Sequence, residues 1–210
     1  MSLLFRDRTD AGQKLAKMLE TYRDKDIVVY GLPRGGVVLA NIVANLLHAP
    51  LDLVITRKIG HPFSPEYAIG AVSENSQPIL NEQETLNIDR DWLKKEIANQ
   101  RQEAKRRRNL YLKGRESISA EGKTAIIIDD GIATGLTMFA TIDELKKQKP
   151  KKIIVAIPVI PGDTYEKLKQ LADEVMSIKV DENFLGAVGA YYENFSQVED
   201  DEVIAIMKSA

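Results

Sequence analysis

Two adjacent carboxylates, Asp129 and Asp130, close an apolar run at residues 125–128 and open a Gly- and Thr-rich turn, Gly131-Ile132-Ala133-Thr134-Gly135, that leads to Leu136 and Thr137. The pattern is a buried strand, a tight turn and a helix start. Ligands of open α/β sheets sit beyond the carboxyl ends of strands. Backbone N–H groups at the helix start, with the Thr134 and Thr137 hydroxyls beside them, suit a phosphate monoester. The two carboxylates would repel that phosphate, so they suit sugar hydroxyls, a metal-bound water or a developing cation. Earlier in the chain, Leu32-Pro33-Arg34-Gly35-Gly36 follows another apolar run. Its glycines allow backbone N–H groups to approach a diphosphate, and Arg34 supplies charge. The spacing matches neither G-x-G-x-x-G nor a P-loop, which lowers dinucleotide and nucleoside-triphosphate readings. A third segment, Arg57-Lys58, adds two cations after a second apolar run.

The elements that must hold these residues are legible from periodicity. Apolar spacing predicts a helix over 9–22, capped by Thr9 or Asp10, and an all-round apolar helix over 37–47 that must pack inside the protein. Strands are expected at 27–30, 51–56, 67–72, 125–128, 153–157 and 175–178, and further helices near 135–148 and 162–173. Strands alternating with helices imply βαβ units and a mostly parallel sheet. A weakly amphipathic helix over 91–113, anchored by Trp92, Ile97, Leu110 and Tyr111, reads as an insertion on the rim of the core. Residues 60–80, with Pro62, Ser64, Pro65 and Gly70, are the candidate for a mobile covering loop.

Composition narrows the chemistry. The chain has 210 residues with 29 Lys+Arg against 31 Asp+Glu, a net charge of −2 that argues against a generic polyanion binder. This total hides a cancellation: residues 94–115 carry nine basic residues and two acids, and residues 181–202 carry seven acids and no base. There is no cysteine, which excludes disulfides, thiolate metal sites and cysteine nucleophiles. The two histidines, His48 and His61, are too few for a multi-histidine metal centre. No apolar run approaches the ~20 residues that span a bilayer, and the N-terminus turns charged too early for a secretory signal. A cytoplasmic location is the expectation.

The 125–137 string resembles the ribose-phosphate signature of the type I phosphoribosyltransferases at every position. The resemblance implies that Asp129 and Asp130 take the ribose hydroxyls of phosphoribosyl pyrophosphate, and that Gly131, Ile132, Ala133, Thr134, Gly135 and Thr137 take its 5′-phosphate. Arg34, Gly35 and Gly36 resemble the family's pyrophosphate loop, and Arg57-Lys58 resembles the basic pair that hypoxanthine-guanine enzymes aim at the pyrophosphate. Residues 184–195 are similar to the hood segment of those enzymes, with Phe184 as the aromatic that stacks on the base. Ala133 stands where the purine enzymes place an Asp, so the acceptor base is left open. The implied fold is α/β: one domain over 1–210 with a mostly parallel central sheet flanked by helices, a helical insertion at about 88–115 and a small hood at about 181–210. The implied reaction is Mg²⁺-dependent transfer of the phosphoribosyl group to a small nitrogenous acceptor. The metal would be held mainly by the substrate, with Asp129 and Asp130 as candidate contacts. A homodimer is in keeping with the family.

Two other readings use the same residues. A phosphoribosyl-pyrophosphate sensor without turnover would use the basic 94–115 stretch to bind RNA or DNA, but Lys105 to Arg108 lack interleaved aromatics. A haloacid-type phosphatase would need a second Asp two residues after the first, and position 131 is Gly.

Overall fold

A computed structural model of the chain describes residues 4–210. In chain order the elements are α1 (Arg8–Met18), β1 (Ile27–Gly31), α2 (Gly35–Leu47), β2 (Leu51–Leu53), β3 (Thr56–His61), β4 (Ser64–Ser73), β5 (Ile79–Leu80), α3 (Glu82–Thr85), α4 (Arg90–Leu112), β6 (Thr124–Ile128), α5 (Leu136–Lys146), β7 (Lys152–Pro161), α6 (Gly162–Lys169), β8 (Glu174–Asp181) and α7 (Asp200–Ser209).

The strands β2-β1-β6-β7-β8 form one parallel sheet. The inner strands β1, β6 and β7 are near-continuous apolar runs because helices cover both faces, whereas the edge strand β8 mixes Glu174, Ser177, Lys179 and Asp181 with its apolar residues. On one face Val29, Ile126 and Ile128 pack with Leu15 of α1, Leu39, Val43 and Leu47 of α2 and Val203 of α7. On the other, Tyr30, Ile127 and Val155 pack with Met138, Ile142 and Leu145 of α5. The chain runs from β1 to β2 on one side and returns to place β6 on the other side of β1. The strand order therefore reverses between β1 and β6, which opens a crevice at their carboxyl ends. Gly31 and Ile128 stand in register across that boundary. The glycine loop after β1 and the carboxylates after β6 must consequently emerge side by side.

A second, antiparallel sheet, β3-β4-β5, stands apart from the first. Ile59, Ile69 and Val72 form its core, covered by Trp92, Leu93 and Ile97 of α4. This corrects two expectations. The strand expected over 51–56 ends at Leu53, and Arg57 and Lys58 lie inside β3, paired with Val72 and Ala71. The stretch 60–80 is largely strand: it is the β3–β4 hairpin and β5, with Phe63 91% exposed at the tip. The end of the expected hood is α7, whose Val203 and Met207 are buried. Helix α1 also starts earlier than expected, capped by Asp7, which accepts the Asp10 N–H at 2.8 Å.

The basic insertion is a single 23-residue helix, about 35 Å long at 1.5 Å per residue. Four of its five arginines are engaged within the chain. Arg106 and Arg107 grip Glu103, holding that carboxyl down to about 2. Arg101 donates to the Ser73 and Ser76 carbonyls, and Arg108 to Leu53 O and Ser117. The acidic tail meets this helix directly: the Tyr111 hydroxyl donates to Asp200 Oδ1 at 2.7 Å.

Candidate active site

The crevice is built by three chain segments. The first is the β1–α2 turn. Helix α2 begins at Gly35, so the N–H groups of Gly35 and Gly36 at its start have no intrahelical partner. The glycines are there because nothing larger fits. A Cβ on Gly36 would lie 2.8 Å from Asp129 Cα and from Ile128 O, and one on Gly35 would run into the Asp130 carboxylate. The second segment is Asp129-Asp130 at the end of β6. Asp129 Oδ1 accepts the Asp130 backbone N–H at 2.8 Å. The third is the turn 131–135, ending at the N-terminus of α5, where Gly135 (φ 78°) is the capping residue. Gly131 (φ 152°) lies against Val188 and Val159, and Ile132 N donates to Val159 O. These contacts leave the first-turn N–H groups of α5, beside Thr134 and Thr137, as a ready anion cradle. Ala133 and Thr134 lie in that turn, and Thr137 is in the first turn of α5.

Electrostatics distinguish the two acids. Burial raises the Asp129 pKa well above the ordinary carboxyl range, and repulsion from Asp130 adds to it. Burial also raises Asp130, but the Arg8 guanidinium opposes this. Arg8 Nε donates to Asp130 Oδ2 at 2.7 Å. The charge of the pair is thus partly compensated from α1, 122 residues away in sequence.

The segment after β8 folds over the crevice. Tyr192 donates its hydroxyl to the Asp130 carbonyl at 2.6 Å, and its ring packs between Phe5 and Phe195. Tyr192→Phe keeps that packing and removes one buried hydrogen bond. The expected result is a loss of about 1 kcal/mol in urea denaturation with no change in secondary structure. Phe184 stacks on Tyr191 at 5.5 Å, so at least one face of the expected base-stacking ring is already covered by the chain's own tyrosine. Tyr191 in turn donates to Asp181 at 2.7 Å.

Not every expected site residue is brought to the carboxylates. Arg34 adjoins them through Gly35 and is paired with Glu199 (3.4 Å) and Asp200 (3.5 Å) of the tail. Arg57 Nε donates to Gln100 and Lys58 pairs with Glu66, and both line a separate cleft of about 330 Å³ between the hairpin and α4, with His61 and Trp92. Tyr111 shares Asp200 with Arg34, and burial with its bond to Asp200 pushes its hydroxyl up to about 12. Sequence reasoning missed Arg8, Tyr111, Tyr192 and the tail acids as neighbours of the site. Only Asp200 and Glu199 carried a signal, the charge asymmetry between residues 94–115 and 181–202.

Residues 8–194 match the family model described as the phosphoribosyl transferase domain. TT1426 from Thermus thermophilus, a solved structure, is 40% identical with a TM-score of 0.81, covering 98% of each chain. A Mycobacterium tuberculosis H37Rv protein that bears a phosphoribosyl transferase name is 40% identical over 209 residues, 99% of this chain. The match covers 47% of that protein, so the chain spans about half the length of the curated relatives it matches. AQ2163 from Aquifex aeolicus, at 12% identity and a TM-score of 0.53 over 83% of this chain and 74% of its own, shares the fold. With an 8–194 family match and a crevice assembled from those three segments, the chain belongs to the phosphoribosyl transferase domain family.

Proposed function

We propose that this chain transfers the 5-phosphoribosyl group from phosphoribosyl pyrophosphate to a ring nitrogen of a small acceptor, a nucleobase, and releases pyrophosphate. The observation that carries the reading is the order of groups around the crevice. The N-terminus of α2 with Arg34 abuts Asp129-Asp130, and these lead directly into the N-terminus of α5. A donor with a diphosphate at one end, a diol in the middle and a phosphate monoester at the other matches that order. The acceptor nitrogen forms a bond to C1 of the ribose as the C1–O bond to pyrophosphate breaks. Positive charge develops on the ribose and negative charge on the leaving group. The N–H groups of Gly35 and Gly36 with Arg34 meet the negative charge, and the two carboxylates position the ribose. No covalent nucleophile is needed, in keeping with a chain that has no cysteine.

The residues fit a Mg²⁺ ion carried on the substrate. No cluster of three His, Cys, Asp or Glu side chains suited to a metal exists among the described residues, and Asp130 is already paired with Arg8. Asp129 is the protein carboxylate left to meet a metal-bound water. When bound, the ion would neutralise charge on the departing pyrophosphate. Among the described residues no helix is long and apolar enough to cross a membrane. The test is a steady-state screen of nucleobases with phosphoribosyl pyrophosphate and Mg²⁺, read by pyrophosphate release. Turnover with one base class at least ~100-fold above the hydrolytic background is the expected result. Tight donor binding with no turnover for any base would favour a sensor instead.

A further inference from the structure

Arg8 drew no functional assignment from the sequence, yet three independent contacts fix its guanidinium over the crevice. Nε donates to Asp130 Oδ2 at 2.7 Å, Nη1 donates to Ser196 O at 2.6 Å, and the group lies 3.8 Å from the centroid of the Phe195 ring. Its backbone is equally constrained. Arg8 is the first residue of α1, which is capped by Asp7 and held down by buried Ala11, Leu15 and Ala16. The ion pair is largely withdrawn from solvent, with side chains 12% and 15% exposed, whereas in Lys58–Glu66 the acid is 93% exposed. A Cβ at position 35 would lie 2.8 Å from Arg8 Nε as well as colliding with Asp130. The glycine therefore keeps the pair beneath the β1–α2 turn. Arg8 also lines an open cleft of about 350 Å³ with Arg34, Gly35, Phe195, Gln197 and Val198, so it borders the space a ligand would enter.

We infer that Arg8 is a positioning residue for the ribose of the donor, acting through Asp130. The inference rests on the phosphoribosyl reading above. The guanidinium occupies Oδ2 of Asp130 and leaves Oδ1 as the acceptor for a sugar hydroxyl. Without Arg8, Asp130 would keep only its contact with Asp129 to set its rotamer, and the repulsion between the two acids would go uncompensated. The planar fork matters as much as the charge. It reaches Asp130 and Ser196 at once while stacking on Phe195, which a lysine ammonium cannot reproduce.

The role separates the two ends of the donor, and so does the test. Affinities of the wild type, R8A, R8Q and R8K for phosphoribosyl pyrophosphate and for inorganic pyrophosphate, each with Mg²⁺, are measured by calorimetry alongside thermal melts. For R8A and R8Q the expected result is a loss of about tenfold for phosphoribosyl pyrophosphate and under twofold for pyrophosphate, with R8K between these and the wild type. If R8A fails to melt cooperatively, the R8Q and R8K ratios decide the matter. An equal loss for both ligands, or none, in the folded variants would overturn the positioning role while leaving the phosphoribosyl reading intact. A wild type that binds pyrophosphate but not phosphoribosyl pyrophosphate would overturn both.

Discussion

Asp129→Asn should weaken phosphoribosyl pyrophosphate binding by about 100-fold when combined with Asp130→Asn, while Asp129→Asn alone should make the chain more stable at neutral pH. The loss follows from removing two carboxyl acceptors, each worth about 1–1.5 kcal/mol when it meets a sugar hydroxyl. The gain has a different origin. Burial and the adjacent Asp130 raise the Asp129 pKa. The folded chain therefore keeps that proton to a higher pH than the unfolded chain does. Stability from this group is complete below about pH 4, the ordinary Asp value, and is lost as pH rises through the raised folded value. Asn cannot titrate, and its side-chain oxygen still accepts the Asp130 N–H that Asp129 accepts at 2.8 Å. Melting curves across that pH range should show the wild type declining more steeply than Asp129→Asn, which keeps only the smaller decline from Asp130. A double variant that binds the donor normally, or an Asp129→Asn variant that melts lower than the wild type at neutral pH, would contradict the assignment. Asp130→Asn should not share the gain, because it strands the largely buried Arg8 without its carboxylate.

The second large effect is expected at Gly36. A Cβ there would meet backbone atoms, Asp129 Cα and Ile128 O, both at 2.8 Å, and backbone cannot swing aside as a side chain can. Gly36→Ala must therefore push the start of α2 away from the end of β6. Overpacking of this kind costs about 1–3 kcal/mol. The displacement also moves the N–H groups that would hold the diphosphate, and a shift of ~1 Å at a reacting centre can cost about 10²-fold in rate. The expected outcome is a folded protein with a lowered melting temperature and a kcat/KM down by about 100-fold. Gly122→Ala is the control, because nothing lies within 4 Å of a Cβ there, although its φ of 69° carries its own strain. A Gly36→Ala variant with near-normal kcat/KM would show that the turn does not hold the diphosphate.

The parts of the fold legible in the sequence are those where one element carries its own signal. The inner strands β1, β6 and β7 carry apolar runs, and the Asp129–Thr137 string is contiguous, so strand, carboxylates, turn and helix start could be read together. The small sheet was harder. Arg57-Lys58-Ile59-Gly60-His61 does not alternate cleanly, and β4 opens on exposed Ser64, Pro65, Glu66 and Tyr67, so the hairpin had no period to announce it. The pair Arg57-Lys58 consequently looked like the end of β2 when it lies within β3. Helix α7 did have a signal, with Val203 and Met207 four residues apart behind an acidic first turn, but the hood resemblance over 181–210 absorbed it. Arg8, Tyr111 and Tyr192 had none. Each joins the crevice by a contact spanning 62 to 122 residues, and no local pattern encodes which distant side chain will complete an ion pair or accept a hydroxyl. The crevice itself follows from topology, because the reversal between β1 and β6 brings together a glycine turn and a pair of acids that lie far apart in the sequence.

The most direct measurement of the central claim is a calorimetric titration of the unmodified chain with phosphoribosyl pyrophosphate, with and without Mg²⁺. Saturable binding at one site per chain, tighter with Mg²⁺ and about 100-fold weaker in Asp129→Asn/Asp130→Asn, is the expected result. Absence of binding by the wild type under both conditions, or equal binding by the double variant, would contradict it.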